Sequence, residues 1–266
     1  MWVLLAALAF SGMAVCIKLL GGAMSVWELV LLRSALALVL LTPAFVRAGP
    51  RVFMTRRLGT HFVRSCAGMG ALVSFFLALT HLDLALATAL GFTRALFVIV
   101  LAVLLLGEIV RWRRSLATMV GFAGVVVCVN PGAGTFDPWT LSALTFALFG
   151  AGVTVFVKRL TSTEAPLAIV FWTYIIMGSL AAAPAVLTWR TPTFTELAIV
   201  LLMSLASAAG QTAMVHGLRA GEATAVTPFE YSRLIYAALL GYFMFGEMPD
   251  RSTWIGAAII VASTLY

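Results

Sequence analysis

Two stretches of this chain are copies of one another. Thr88, Arg94, Gly107 and Glu108 recur as Thr227, Arg233, Gly246 and Glu247, each at an offset of 139 residues and without a gap. Each copy is long and apolar enough to cross a bilayer, which takes about 20 residues. Yet each places an arginine near its middle, and the second adds Glu230 and, before it, Pro228. A charge at the centre of a span costs about 3 kcal/mol on insertion scales. It survives there only against a partner or a wet cavity. The chain is therefore expected to fold around polar groups held inside a membrane.

Composition agrees. Of 266 residues, 62% are hydrophobic and 10% charged, against roughly 45–50% and 25% in soluble domains. Ten spans fit the length: roughly 2–20, 26–46, 61–80, 84–106, 115–130, 139–160, 166–188, 195–218, 222–245 and 252–266. Turn residues punctuate them, at Gly21-Gly22, Gly49-Pro50, Asn130-Pro131-Gly132, Asp137-Pro138 and Pro249-Asp250. The first span, Trp2 to Leu20, has no basic flank ahead of it and no obvious cleavage site, and reads as a retained helix. Spans reach both ends of the sequence, as they would if polar tails had been trimmed. Cys16, Cys66 and Cys128 lie far apart in apolar segments and make no metal or redox spacing.

The duplication extends to the front of each half, where Gly12, Val15 and Lys18 match Gly152, Val155 and Lys158 at an offset of 140. A five-span unit repeated once must insert upside down the second time, because five is odd. The expected fold is all-α: ten transmembrane helices as two inverted five-helix repeats, residues 1–130 and 131–266. Secondary transporters built this way place substrate near the midplane.

The motif residues of the first half are Ala78-Leu79, Leu84 to Thr88, Leu106-Gly107-Glu108 and Gly121 to Gly124. Those of the second are Gly217-Leu218, Ala223 to Pro228, Phe245-Gly246-Glu247 and Gly256-Ala257-Ala258. This pattern resembles the drug/metabolite transporter superfamily, of the EamA type, over essentially the whole chain. Thr227 to Tyr231 and Pro249 to Ser263 are also similar to members that take up S-adenosylmethionine. The resemblance implies transport of a small metabolite: an amino acid, purine, vitamin, sugar or nucleotide derivative.

The residues themselves offer several constellations. Arg94 and Arg233 share one local acid, Glu230, three residues before Arg233 on the same helix face; its counterpart in the first half is Gly91. Two readings stand: a cavity that grips a carboxylate or phosphate with a guanidinium fork, or a Glu230–arginine bridge that ties two helices. Tyr231 adjoins the acid. Glu28 and Arg33 lie early in the second span, five apart, a poor spacing for a pair within one helix. They gate the outer mouth, form a salt bridge across helices, or simply snorkel. Arg64 reads as a snorkelling anchor. Gln211 and His216 are polar positions inside the eighth span that need partners, from the cavity or a neighbouring helix. Phe171, Trp172, Tyr174, Phe229 and Tyr236 supply aromatic walls or packing. Glu108 and Glu247, at span ends, read as caps. Gly68 and Gly70 allow close helix packing.

No residues form an enzyme constellation, a metal site, a cofactor site or an ATP-binding domain. The leading reading is a secondary-active, alternating-access carrier of an anionic or zwitterionic metabolite in the bacterial inner membrane. Its partners are the substrate, membrane lipids and a coupling proton or cation taken up at Glu230 or His216. The alternative is a flippase or assembly subunit for lipid-linked intermediates. The net charge of +7 reflects topology and anionic lipid rather than nucleic acid.

Basic residues collect in alternate loops: Arg47, Arg51, Arg56 and Arg57; Arg111, Arg113 and Arg114; Lys158 and Arg159; Arg219. The opposite loops hold only Arg190 and Arg251, with Lys18 near the end of the first span. The positive-inside rule makes the basic loops and both termini cytoplasmic. A single cysteine introduced at Arg56 should stay unlabelled by an impermeant maleimide in intact cells and react after permeabilisation.

Overall fold

A computed structural model describes residues 2–94, 137–220 and 232–265, with scattered residues between 96 and 127. The described residues are helical, without strands. In chain order the helices are α1 (Trp2–Leu20), α2 (Val26–Ala48), a 3-10 turn (Pro50–Phe53), α3 (Leu58–His81), α4 (Leu84–Gly91), α5 (Trp139–Thr161), α6 (Pro166–Leu187), α7 (Phe194–Ala220), α8 (Ser232–Phe245) and α9 (Arg251–Leu265). Six of them, α1, α2, α3, α5, α6 and α7, are long and apolar enough to cross a membrane. Half of the fifth expected span, the Arg111–Arg114 loop, Glu108 and residues 221–231 lie outside the described residues.

Local chemistry sets the helix ends. Ser25 caps α2: its hydroxyl accepts from Glu28 N–H, and the Glu28 carboxylate accepts from Ser25 N–H at 2.8 Å, a complete capping box. At the other end Gly49, at φ +78°, stops the helix in a conformation that L side chains rarely adopt. Asp250 caps α9 and accepts from Thr253 N–H at 2.9 Å, while the Thr253 and Ser252 hydroxyls hold its carboxyl below the usual range.

The chain forms two compact units that do not follow its two halves. One holds residues 1–69 and 156–232, the other 70–155 and 233–266. In the first, α1 lies along α7, and α2 packs on both α6 and α7. Small residues permit this: a Cβ at Gly210 would come within 2.9 Å of the Phe10 ring, and one at Gly178 within 3.2 Å of Ser34 Cβ. The faces are inverted relative to a water-soluble bundle. On α3, His61, Arg64 and Ser65 point inward, while Phe62 and Val63 are 50% and 48% exposed. Apolar side chains turned outward suit lipid; polar ones turned inward must find partners within the protein.

In the second unit the fourth expected span is not one continuous helix. It breaks after Gly91: Phe92 and Thr93 form a turn, with N–H groups bonded back to Ala89 and Leu90 carbonyls. The Thr93 hydroxyl also donates to Leu90 C=O at 2.7 Å. Helical residues resume at Arg94. The start of α4 is capped from far along the chain. Asp83 sits at the N-cap without a side-chain cap bond, and Glu247 accepts from Leu84 N–H at 2.9 Å. Gly241 makes room, since a Cβ there would lie 3.0 Å from the same carboxylate oxygen. Glu247 therefore caps a helix, though not its own. An anion at a helix N-terminus is favourable for dipole as well as hydrogen-bond reasons. Glu247→Ala should cost about 1 kcal/mol, seen as a lower melting temperature of the detergent-solubilised protein.

Candidate functional site

The first unit contains a polar cluster that the apolar helices around it must enclose. Arg33 on α2 is 4% exposed and Arg64 on α3 is 2% exposed. Arg33 donates to the Ser207 hydroxyl on α7 at 2.8 Å and faces the Tyr174 ring on α6, 5.6 Å from its centroid. The Tyr174 and Ser207 hydroxyls are 3.0 Å apart. Arg64 donates to the Thr173 hydroxyl and reaches Gln211 Oε1 at 3.5 Å. Ser207 and Gln211 are four residues apart, so their rungs on α7 are separated by about 6 Å of helix rise. Thr173 and Tyr174 are adjacent on α6. The two guanidiniums thus occupy successive rungs of one α6–α7 face.

Among the described residues neither guanidinium forms a salt bridge, whereas Arg190 pairs with Glu196 at the start of α7. Both Nε–H groups are buried without a hydrogen-bond acceptor. The Ser34, Ser65 and Thr212 hydroxyls and the Trp172 indole N–H are also buried without partners. The cluster therefore has an excess of donors and of positive charge. Chemically it suits an acceptor-rich, anionic group, which a planar guanidinium engages through two parallel bonds. Among the described residues no three His, Cys, Asp or Glu side chains converge as metal ligands would.

The other candidate positions are distributed as follows. Gln211 belongs to the cluster. Trp172 lies beside it, with its ring 6.2 Å from His61 and 5.7 Å from Phe171. His216 is half-buried and stacks on Trp2 at 5.2 Å. Glu28 and Arg33 do not meet. Glu28 accepts from Ser25 N–H and from Arg190 N–H, holding the loop that enters α7, whereas Arg33 turns into the cluster. Arg94 and Arg233 lie in the second unit. The Arg94 stem packs where a Cβ on Gly150 would stand, 3.0 Å away, and the Arg233 guanidinium lies over the Phe75 ring at 5.4 Å. Glu230 and Tyr231 fall outside the described residues.

The reading of Arg64 as a snorkelling anchor is corrected: its side chain runs inward to Thr173, because the inward face of α3 carries the hydrogen-bonding groups and the outward face faces lipid. Two signals in the sequence mark this cluster. His61, Arg64 and Ser65 share one face by their spacing of three and four. Ser204, Ser207 and Gln211 repeat that spacing on the eighth span.

These features define a multi-pass membrane protein with an internal polar site, the architecture of a carrier. Comparison with known proteins narrows the class. The EamA-like transporter family model matches residues 1–130 and 137–266, and the chain belongs to that family. It is 30% identical over 265 residues to the S-adenosylmethionine uptake transporter of Rickettsia prowazekii, covering all of this chain and 90% of that one. It is 28% identical over 237 residues to the riboflavin transporter of Brucella anthropi, covering 87% and 84% respectively. A crystal structure with 18% sequence identity aligns at a TM-score of 0.68, over 98% of this chain and 94% of the other; that likeness concerns the fold alone. The family is one of transporters, and these two relatives are transporters of S-adenosylmethionine and riboflavin.

Ser207 is the shared anchor of the cluster. Removing its hydroxyl leaves Arg33 without its hydroxyl acceptor and Tyr174 without a partner. Ser207→Ala should therefore destabilise the folded protein by about 1–3 kcal/mol, the cost of stranding buried polar groups, measured as a lower melting temperature with helix content unchanged at 20 °C.

Proposed function

We propose that this chain is a secondary-active importer of a zwitterionic, carboxylate-bearing metabolite of the S-adenosylmethionine kind. It works by alternating access in the bacterial inner membrane. Its ten spans form two inverted repeats, with both termini cytoplasmic. The family match to 1–130 and 137–266 supports the repeat reading, and the bias of arginines toward alternate loops supports the orientation. Whole-length similarity to an S-adenosylmethionine uptake transporter supports the substrate class.

The observation that carries the reading is the pair of buried guanidiniums, Arg33 and Arg64, with no carboxylate bonded to either among the described residues. Keeping two like charges within a low-dielectric interior is costly. A substrate carboxylate relieves that cost when it binds, and substrates without one gain nothing from the pair. Thr173, Ser207 and Gln211 hold the forks in place beforehand, so little side-chain freedom remains to be lost on binding.

Binding of radiolabelled S-adenosylmethionine to purified protein tests this directly. Arg64→Gln should weaken it by about 2–3 kcal/mol, the worth of a charge-assisted bond, or roughly 30- to 150-fold in Kd. Arg94→Ala should change it less than threefold. The reverse order would move the carboxylate site to the second unit. Co-purified phospholipid that S-adenosylmethionine does not displace would indicate a lipid substrate instead.

A further inference from the structure

The chain has three histidines, and the structure sets one apart. His81 is exposed, bonds to Leu77 C=O and the Thr80 hydroxyl, and stacks on Trp139. His216 is half-buried against Trp2. His61 is 0% exposed, and neither ring nitrogen has a hydrogen-bond partner. A neutral imidazole carries one donor and one acceptor, so burial here leaves both unanswered, an arrangement that buried polar groups rarely adopt.

Two charged groups among the described residues act on this ring. Glu164, in the turn before α6, carries a negative charge, and Arg64, three residues on, shares the helix face of His61 and carries a positive one. The Glu164 carboxylate is held by the Thr55 hydroxyl at 2.6 Å. Trp172 supplies the remaining neighbouring ring. Of the two charged groups, Arg64 is the residue to which the substrate carboxylate is assigned above, so substrate binding changes the charge facing His61.

We propose that His61 is the coupling-proton site, and that it is linked to substrate through Arg64. A carboxylate on Arg64 cancels the charge facing the ring. The lone-pair nitrogen of His61 then accepts one proton, which travels with the substrate and leaves unchanged on the far side, so no covalent bond between heavy atoms is altered. Linkage is reciprocal: if substrate favours the proton, the proton favours substrate to the same extent. The carrier is thus a proton symporter. This coupling to substrate rests on the uptake reading; the link between His61 and Arg64 does not.

Two measurements separate them. In proteoliposomes, an acid-outside gradient should accelerate S-adenosylmethionine uptake by wild type. His61→Gln should lose that response yet keep substrate exchange in the absence of a gradient. A wild type indifferent to the gradient, or a His61→Gln variant that still responds, overturns the proposal and leaves uptake intact. Independently of any substrate, histidine-labelled full-length protein in micelles can be titrated by NMR, with His61 assigned from His61→Gln. Arg64→Gln should change the proton affinity of His61 by about tenfold, roughly one pH unit, and leave His81 and His216 in place. If all three histidines titrate alike in both proteins, the proton site is wrong. If the Arg64 effect appears while S-adenosylmethionine is neither bound nor carried, the substrate reading alone fails.

Discussion

The structure of the first unit depends on keeping two guanidiniums out of lipid. Arginine does not lose its proton inside a protein, so Arg33 and Arg64 cannot escape their charge by neutralisation. Every helix near them is adapted to that fact. α7 offers Ser207 and Gln211, α6 offers Thr173 and the face of Tyr174, and α2 and α3 approach closely enough to use them. Hydroxyls and an amide satisfy the N–H groups but do not cancel the charge. That separation of hydrogen bonding from neutralisation is what leaves the unit ready for an anion.

Much of this arrangement was legible in the sequence. Hydropathy alone locates α1, α2, α3, α5, α6 and α7 to within a few residues of their observed ends, because a span is set by bilayer thickness and the turn residues between spans are unambiguous. The glycine that ends α2 is equally local, whereas Glu28, expected to gate the outer mouth, pair across helices or snorkel, serves the capping box of α2. Glu247 shows the boundary of such reasoning. Its position at a span end identifies a cap, but nothing local says that it caps α4, 163 residues away.

The site itself was less legible, for a physical reason. Periodicity reveals which residues of a helix face inward, and it puts His61, Arg64 and Ser65 on one stripe. It does not reveal which other helix they meet, because that depends on helix order and rotation about the axis. The repeat drew attention to Arg94 and Arg233, which are conspicuous because they recur. Arg33 and Arg64 have no such echo and lie nearer the ends of their spans, where interfacial snorkelling is the simplest reading. The break at Phe92–Thr93 was also hidden, since Thr93 holds the turn with a single hydroxyl bond in an otherwise continuous apolar run.

The way the first unit draws on both halves of the chain has a consequence for biogenesis. Arg33 is made 174 residues before the serine that receives it, and Arg64 109 residues before its threonine. At about 5–20 residues per second, the first arginine waits roughly ten to thirty seconds for its acceptor. During that time α2 and α3 have left the ribosome and α7 does not yet exist. The nascent protein must shelter these charges at the headgroup level or against the insertion machinery, and then draw them inward as α6 and α7 arrive. Slowing synthesis between residues 70 and 160 would lengthen that exposure, making the middle of the message the stretch where translation speed bears most directly on the yield of folded carrier.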